Sequence, residues 1–118
     1  MEKKSFGASN EFVLDQNLEW ENVGEGVKRK IMVYDDKIML VKVHFNQGGI
    51  GYKHEHYHSQ VTYIESGEFE FSIGEETKLV KKGDSVYIPP HVLHGAVCTK
   101  EGVLIDVFSP IREDFMVD

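Results

Sequence analysis

The chain has 118 residues, which fits one domain built around one core and leaves no room for a second. Hydrophobic residues make up 41% of it and charged residues 28%, as in ordinary globular proteins, and the net charge of -7 is opposite to the basic surface that nucleic acids require. We therefore expect a single domain over residues 1–118 with no nucleic-acid partner.

The beginning of the chain, from Met1 to Asp15, contains no apolar run that resembles a signal peptide or a membrane span. This predicts a cytoplasmic protein without membrane contact. Cys98 is the one cysteine and has no internal disulfide partner, as is typical of a reducing compartment. Any metal site should therefore use histidine, glutamine or carboxylate ligands.

Helical periodicity is nearly absent, whereas short β-branched and aromatic runs recur about every ten residues. The stretch Leu14–Asn22 favours neither strand nor helix, and we assign residues 1–29 to an N-terminal arm. The predicted strands are Lys30–Tyr34, Ile38–Phe45, Val61–Glu65, Glu68–Ile73, Thr77–Val80, Ser85–Ile88, Ala96–Thr99 and Val103–Phe108. The predicted turns between them are Asp35-Asp36, Asn46–Gly49, Ser66-Gly67, Gly74–Glu76, Lys82–Asp84 and Glu101-Gly102. The pattern predicts an all-β sandwich or barrel.

Five of the six histidines fall in two tight groups, 54–58 and 91–94. On a strand, residues i and i+2 share a face about 6.5 Å apart, so two imidazoles there can bind one ion at about 2.1 Å. A chance accumulation of surface histidines is the alternative for one such pair. Strict alternation would equally place His56, His58 and Gln60 on one face, so periodicity alone leaves the ligand set open.

The spacing of the histidines resembles two known motifs. Gly48, His54, His56, Gln60 and Gly67 fit G(X)5HXH(X)3E(X)6G, with glutamine in the glutamate position. Gly83, Pro89, His91 and His94 fit G(X)5PXG(X)2H, with His91 in the glycine position. These are the motifs of the cupin superfamily, and the resemblance implies a double-stranded β-helix, or jelly-roll barrel, over residues 30–108 with a tail at 109–118.

The cupin resemblance also implies one divalent metal ion inside the barrel, with His54, His56, Gln60 and His94 as its ligands. In cupins a turn precedes the Glu or Gln, which would swing His58 outward. His91 should lie in a turn that tolerates Asn-like residues, and Cys98 should be a small buried residue. Three imidazoles and an amide leave the ion its full charge, which favours Lewis-acid chemistry on an anionic substrate, with zinc, iron, nickel, cobalt or manganese as the candidate metals.

The last predicted strand alternates so that Leu104, Asp106 and Phe108 share one face. A carboxylate among apolar neighbours needs a partner, and burial would raise its pKa toward the range useful in acid-base catalysis. Arg112 is the expected partner. A plain ion pair between the two that closes the barrel end is the structural alternative to a catalytic role.

Two further stretches, Trp20–Ile31 and Asp106–Phe115, together with the H-X-H-X-H-X-Q run, resemble the KdgF group of small cupins. That group opens the ring of 4,5-unsaturated monouronates from pectin or alginate breakdown to the linear 4-deoxy-5-keto uronate. The resemblance implies catalytic roles for Asp106 and Arg112 and substrate binding by Phe108 and Arg112. Tyr57 replaces a proline that is common in the group.

Two other functions fit the same residues. The barrel could bind a sugar acid or a metal without catalysis, or it could be a metal-dependent dioxygenase, although Gln60 argues against the latter because such enzymes gain from a glutamate ligand. Outward apolar positions such as Val103 and Val107 predict a homodimer.

Overall fold

The computed structural model describes residues 6–116. Within this range the chain forms eight strands and two short 3-10 helices. The strands are β1 (Glu21–Gly24), β2 (Val27–Asp35), β3 (Ile38–Phe45), β4 (Ile50–His54), β5 (Ser59–Ile73), β6 (Glu76–Lys81), β7 (Ser85–Ile88) and β8 (His94–Ser109). The helices are Asp15–Asn17 and Glu113–Phe115. No helix in the described part of the chain is long and apolar enough to cross a membrane.

Two long antiparallel strands, β5 and β8, pair along their whole length and connect the two halves of the fold. The first half of β5 and the second half of β8 lie between β7 on one side and β3, β2 and β1 on the other. The second half of β5 and the first half of β8 lie between β6 and β4. The eight strands thus form one antiparallel sheet that folds into the two layers of an all-β sandwich, as the sequence predicts.

Both long strands bend where the sequence pattern predicts turns. The expected hairpin turns at Ser66-Gly67 and Glu101-Gly102 are wrong, because these residues lie inside β5 and β8 at a point where the pairing register shifts. Gly67 has φ of 81°, and a Cβ on it would lie 2.5 Å from the carbonyl oxygen of Glu101. The glycines permit a close crossing of two strands rather than a reversal of the chain.

The main core lies between the two layers. One layer contributes Phe45, Ile64 and Leu104, and the other contributes Phe69 and Cys98. The ring centroids of Phe45 and Phe69 are 5.2 Å apart in an edge-to-face arrangement. The prediction that Cys98 is a small buried residue is confirmed, since it is 1% exposed.

A second, smaller core cluster lies toward the chain termini and contains Met39, Val41, Phe108 and Ile111. Phe108 comes from β8, and Ile111 follows Ser109, the last residue of that strand. Residues of both clusters line one cavity, together with His54 at the end of β4 and His94 at the start of β8, and this cavity contains the candidate site.

Candidate metal centre

Three histidines converge at one end of the sandwich. His54 ends β4, His94 begins β8, and the two are cross-strand partners. His56 lies in the loop between β4 and β5. One ring nitrogen from each of the three lies within 4.8 Å of the others, which is close enough for a shared metal ion. This group is the one that the cupin motifs predict.

The other ring nitrogen of each histidine faces a backbone carbonyl oxygen. His54 Nδ1 donates to Tyr52 at 2.9 Å, and His94 Nδ1 donates to Val92 at 2.9 Å. A carbonyl oxygen can only accept, so these bonds fix the tautomer and leave Nε2 with a free lone pair. Nε2 of His94 is buried and has no hydrogen-bond partner, as is expected of a nitrogen whose lone pair binds a metal ion.

His56 faces an acceptor on each side. Its Nδ1 lies 3.1 Å from the carbonyl oxygen of His58, and its Nε2 lies 3.0 Å from Oε1 of Gln60. Burial lowers the pKa of His56 and lowers that of His94 to about 4, so both are neutral at pH 7. A neutral imidazole carries one N–H and cannot satisfy two acceptors, whereas a cation between Nε2 and Oε1 would satisfy both groups. These residues therefore fit a metal ion.

Gln60 connects the histidines to a buried carboxyl group. Its Nε2 donates to Thr62 Oγ1 at 2.9 Å and to Asp106 Oδ1 at 3.3 Å, so its oxygen points to the histidines. The Thr62 hydroxyl in turn donates to Asp106 Oδ1 at 2.6 Å. Thr62 is a site residue that sequence reasoning missed, although its position two residues after Gln60 on an inward-facing strand could have indicated it.

The expected ion pair between Asp106 and Arg112 is wrong. Arg112 donates from Nε and Nη2 to Asp114 at 3.0 and 2.8 Å, because both residues belong to the same short turn, whereas Asp106 is held by Thr62 and Gln60. Burial raises the pKa of Asp106 to about 6, against the opposing effects of its two hydrogen bonds and of the Arg112 charge. What remains exposed of Asp106 faces the cavity.

The cavity itself has a volume of about 230 Å³. This is below the about 300 Å³ at which pockets for drug-sized molecules begin, and it suits a ligand with a single ring. Its polar lining consists of His54, Gln60, His94, Asp106 and Arg112, and the aromatic lining nearest to them consists of Phe108 and Phe115. Phe115 was not predicted from the sequence. A small anionic ring could thus contact histidines, a carboxyl group, an arginine and an aromatic face at once.

The sequence left open whether two other histidines, His58 and His91, belong to the site. His58 points away from the three converging histidines, as the cupin resemblance implies, but it is buried and not exposed to solvent: it is 2% exposed, and its Nε2 donates to the carbonyl oxygen of Ile111 at 3.1 Å. His91 has φ of 64°, which confirms the turn predicted for it, and its amide donates to the carbonyl oxygen of His56. His91 thereby supports the loop that carries His56.

Residues 41–108 match the family described as Cupin domain. This match covers more than half of the chain, and the fold and the histidine group are those that the cupin motifs predict. The chain therefore belongs to the cupin family.

Within this family the chain is similar to proteins named KdgF. It is 43% identical over 107 residues to the pectin degradation protein KdgF of Dickeya dadantii (strain 3937), across 89% of this chain and 97% of that protein. The structure of KdgF from Halomonas sp. superposes with a TM-score of 0.87 and 34% identity, over 91% of this chain and 99% of that one. An RmlC-like cupin from Shewanella frigidimarina NCIMB 400 gives a TM-score of 0.90 and 44% identity, over 93% and 99% of the two chains. The chain is a KdgF-like cupin.

Proposed function

We propose that this protein opens the ring of 4,5-unsaturated monouronates, released from pectin or alginate, to the linear 4-deoxy-5-keto uronate. The observation that carries the proposal is the composition of one small cavity, which is lined by His54, His94 and Gln60 together with a carboxyl group, an aromatic ring and an arginine. A nitrogen of His56 lies within 4.8 Å of nitrogens of His54 and His94 and completes the histidine group. The similarity to a pectin degradation protein over most of both chains supports it.

We assign one divalent ion to His54, His56, Gln60 and His94, with zinc, iron, nickel, cobalt or manganese as candidates. When bound, such an ion supplies Lewis-acid polarisation of the ligand's oxygens. An imidazole or an amide that binds through a lone pair adds no negative charge, so the site would keep the positive charge of the ion and attract an anionic sugar. The arrangement of their donor atoms supports this assignment.

The remaining roles follow from the chemistry of each side chain. Arg112 binds the uronate carboxylate, since a guanidinium can form a bidentate pair with it. The apolar face of the sugar packs on Phe108, which lies 5.8 Å, centroid to centroid, from His56. Asp106 transfers the proton. The anomeric hydroxyl loses a proton as C1 becomes an aldehyde, the bond between C1 and the ring oxygen breaks, and the enolate left at C5 takes up a proton at C4, so that substrate and product have the same composition.

The proposed activity is tested by the absorbance of the conjugated double bond in a 4,5-unsaturated monouronate. Metal-loaded protein should remove this absorbance catalytically, with the linear keto acid identified by NMR. Uronate binding without any loss of absorbance would support a non-catalytic binding protein instead. Consumption of oxygen during the reaction would support a dioxygenase.

We further propose that the protein is a cytoplasmic homodimer. One apolar row crosses the outer surface of the sheet, where Tyr87, Val61, Val107 and Leu40 are successive cross-strand neighbours. Val61 and Tyr87 are exposed, at 49% and 58%. A second copy of the chain is the partner that would cover this row.

A further inference from the structure

Arg112 and Phe115 line the cavity although β8 ends at Ser109. The guanidinium carbon of Arg112 lies 4.2 Å from the ring centroid of Phe115 and 5.0 Å from that of Phe108. Two of its N–H groups donate to Asp114, which leaves the others for a ligand. The position of this guanidinium therefore depends on what holds the short segment after the last strand.

Two adjacent residues of the loop between β4 and β5 hold that segment on either side of Arg112. The Tyr57 hydroxyl donates to Glu113 Oε2 at 2.6 Å. Nε2 of His58 lies 3.1 Å from the carbonyl oxygen of Ile111 and 3.4 Å from Glu113 Oε2. The rings of Tyr57 and His58 stack with their centroids 4.0 Å apart. We call Tyr57, His58 and Glu113 the latch.

The side chains of His58, Glu113 and Asp114 form a cluster that is already paired within the protein. His58, Glu113 and Asp114 lie close enough together to be considered as ligands. However, Asp114 accepts a hydrogen bond from Arg112, and Glu113 accepts one from the Tyr57 hydroxyl. Nε2 of His58 donates to the carbonyl oxygen of Ile111. His58 Nε2, Glu113 Oε2 and Asp114 Oδ2 are thus each paired with a group of the protein.

The buried imidazole of His58 also has a cost. Its Nδ1 is buried without a hydrogen-bond partner, and a buried polar group in this state destabilises a folded protein. A phenyl ring or an aliphatic side chain would avoid that cost but could not donate to the segment beside Arg112. The bond to Ile111 is therefore better explained by the position it gives to the segment than by stability.

We propose that the latch residues Tyr57, His58 and Glu113 are positioning residues, which hold the Arg112 guanidinium at the place where it receives the carboxylate of the substrate. The proposal rests on the proposed function. It extends that function to residues outside the cavity, because none of the three latch residues lines it. A bidentate contact requires the planar fork to be held in one orientation, and the latch fixes the backbone on both sides of it.

The test removes one oxygen atom from the latch with Tyr57→Phe. We expect KM for the unsaturated monouronate to rise about 5- to 20-fold with kcat changed less than about twofold, since carboxylate binding is used equally in the ground and transition states. Metal content should not change. Tyr63→Phe, which removes a hydroxyl from an exposed position on β5, is the matched control and should leave KM unchanged.

A second variant asks whether the effect passes through Arg112. In an Arg112→Lys background, Tyr57→Phe should raise KM no further, because a point charge does not use the orientation that the latch provides. A further increase of the same size in that background would overturn the proposal. So would a Tyr57→Phe protein with a lowered melting temperature and an unchanged KM.

Amide hydrogen exchange tests the latch without any turnover. The amides of Phe115 and Met116 bond to the carbonyl oxygens of Arg112 and Glu113, and they should exchange about tenfold faster in Tyr57→Phe. The amide of Ile64 in β5 should not change. If the wild-type protein proved inactive, the proposed function would fail, and the dissociation constant for D-galacturonate would replace KM as the test of the latch. Equal exchange rates and equal affinity in both proteins would refute it.

Discussion

Gln60 contacts both the histidine group and the Asp106 carboxyl group of the cavity. Its amide oxygen faces His56, and its amide nitrogen donates to Thr62 and Asp106. A glutamate here would place a second negative charge about 3 Å from the Asp106 carboxyl, where like charges oppose ionisation. The amide of Gln60 can donate to the Asp106 carboxyl group, which a glutamate could not do when ionised, and the motif alone does not reveal this contact.

Asp106→Asn tests the proton-transfer role at this position. Asparagine keeps an oxygen that can accept from Thr62, so the local structure should survive, but the titratable proton is lost. We expect turnover of the unsaturated uronate to fall about 100-fold or more with metal content unchanged. Turnover within about threefold of wild type, measured by loss of absorbance, would eliminate the catalytic role.

The same substitution predicts a pH-dependent change in stability of the metal-free protein. Burial raises the pKa of Asp106 from 3.8 to about 6, so the folded state binds more protons than the unfolded state between these values. The stabilisation by the protonated form is complete below pH 4 and is lost as the pH rises through about 6. The free energy of unfolding of Asp106→Asn, relative to that of wild type, should therefore rise by about 2–3 kcal/mol from pH 4 to pH 7.

Urea unfolding of both proteins at the two pH values measures this difference. The comparison must be between variant and wild type, because burial lowers the pKa of His94 to about 4 and its protonation changes stability in the opposite direction over the same range. A stability difference that is the same at pH 4 and pH 7 would show that Asp106 is not buried as the structure has it.

At the scale of elements, turn residues located some strands well and others poorly. The bounds of β3 and β7 were predicted to the residue, because Asp, Gly and Pro mark both ends of each. The four-residue β1 was missed, since its residues are all exposed and carry no alternation. β4 was missed because its sequence, Ile50–His54, includes a glycine and lacks an inward apolar face.

The bend in the two long strands shows a further limit of sequence patterns. Glycine marks a tight turn and a close approach of two backbones equally well, and only the tertiary pairing of β5 with β8 distinguishes them. The same limit explains why the partner of Arg112 was predicted wrongly. Its partner, Asp114, lies two residues away in the sequence, but the alternation of the last strand singled out Asp106 as a carboxylate among apolar neighbours. The three converging histidines could be identified because their motif spacing carries the information by itself.

Gly102→Ala tests the bend. A Cβ at this position would overlap the carbonyl oxygen of Ser66, which is backbone and cannot move aside easily. We expect a loss of about 2–3 kcal/mol in the free energy of unfolding by urea. Gly24→Ala is the control, since its nearest atom would be 3.9 Å away, and it should change stability by less than about 0.5 kcal/mol. Equal stability of the two variants would contradict the close crossing.

For the whole molecule, the proposed dimer predicts a mass twice the 13.5 kDa of the chain by light scattering at micromolar concentration. Val61→Lys places a charge in the apolar row and should yield a monomer that still binds metal. Leu79→Lys, at a 58% exposed position on β6, is the control and should remain dimeric. A monomeric wild type would refute the dimer, and a Val61→Lys dimer would assign the interface to another surface.

The central claim is that one metal ion on His54, His56, Gln60 and His94 is required for uronate ring opening. Its most direct test is turnover of a 4,5-unsaturated monouronate, followed by absorbance, as metal is added back to the stripped protein. We predict that turnover rises in proportion to added metal and stops rising at one ion per chain, and that His94→Ala shows no such rise. Full turnover by stripped wild-type protein, or a normal titration of His94→Ala, would contradict the claim.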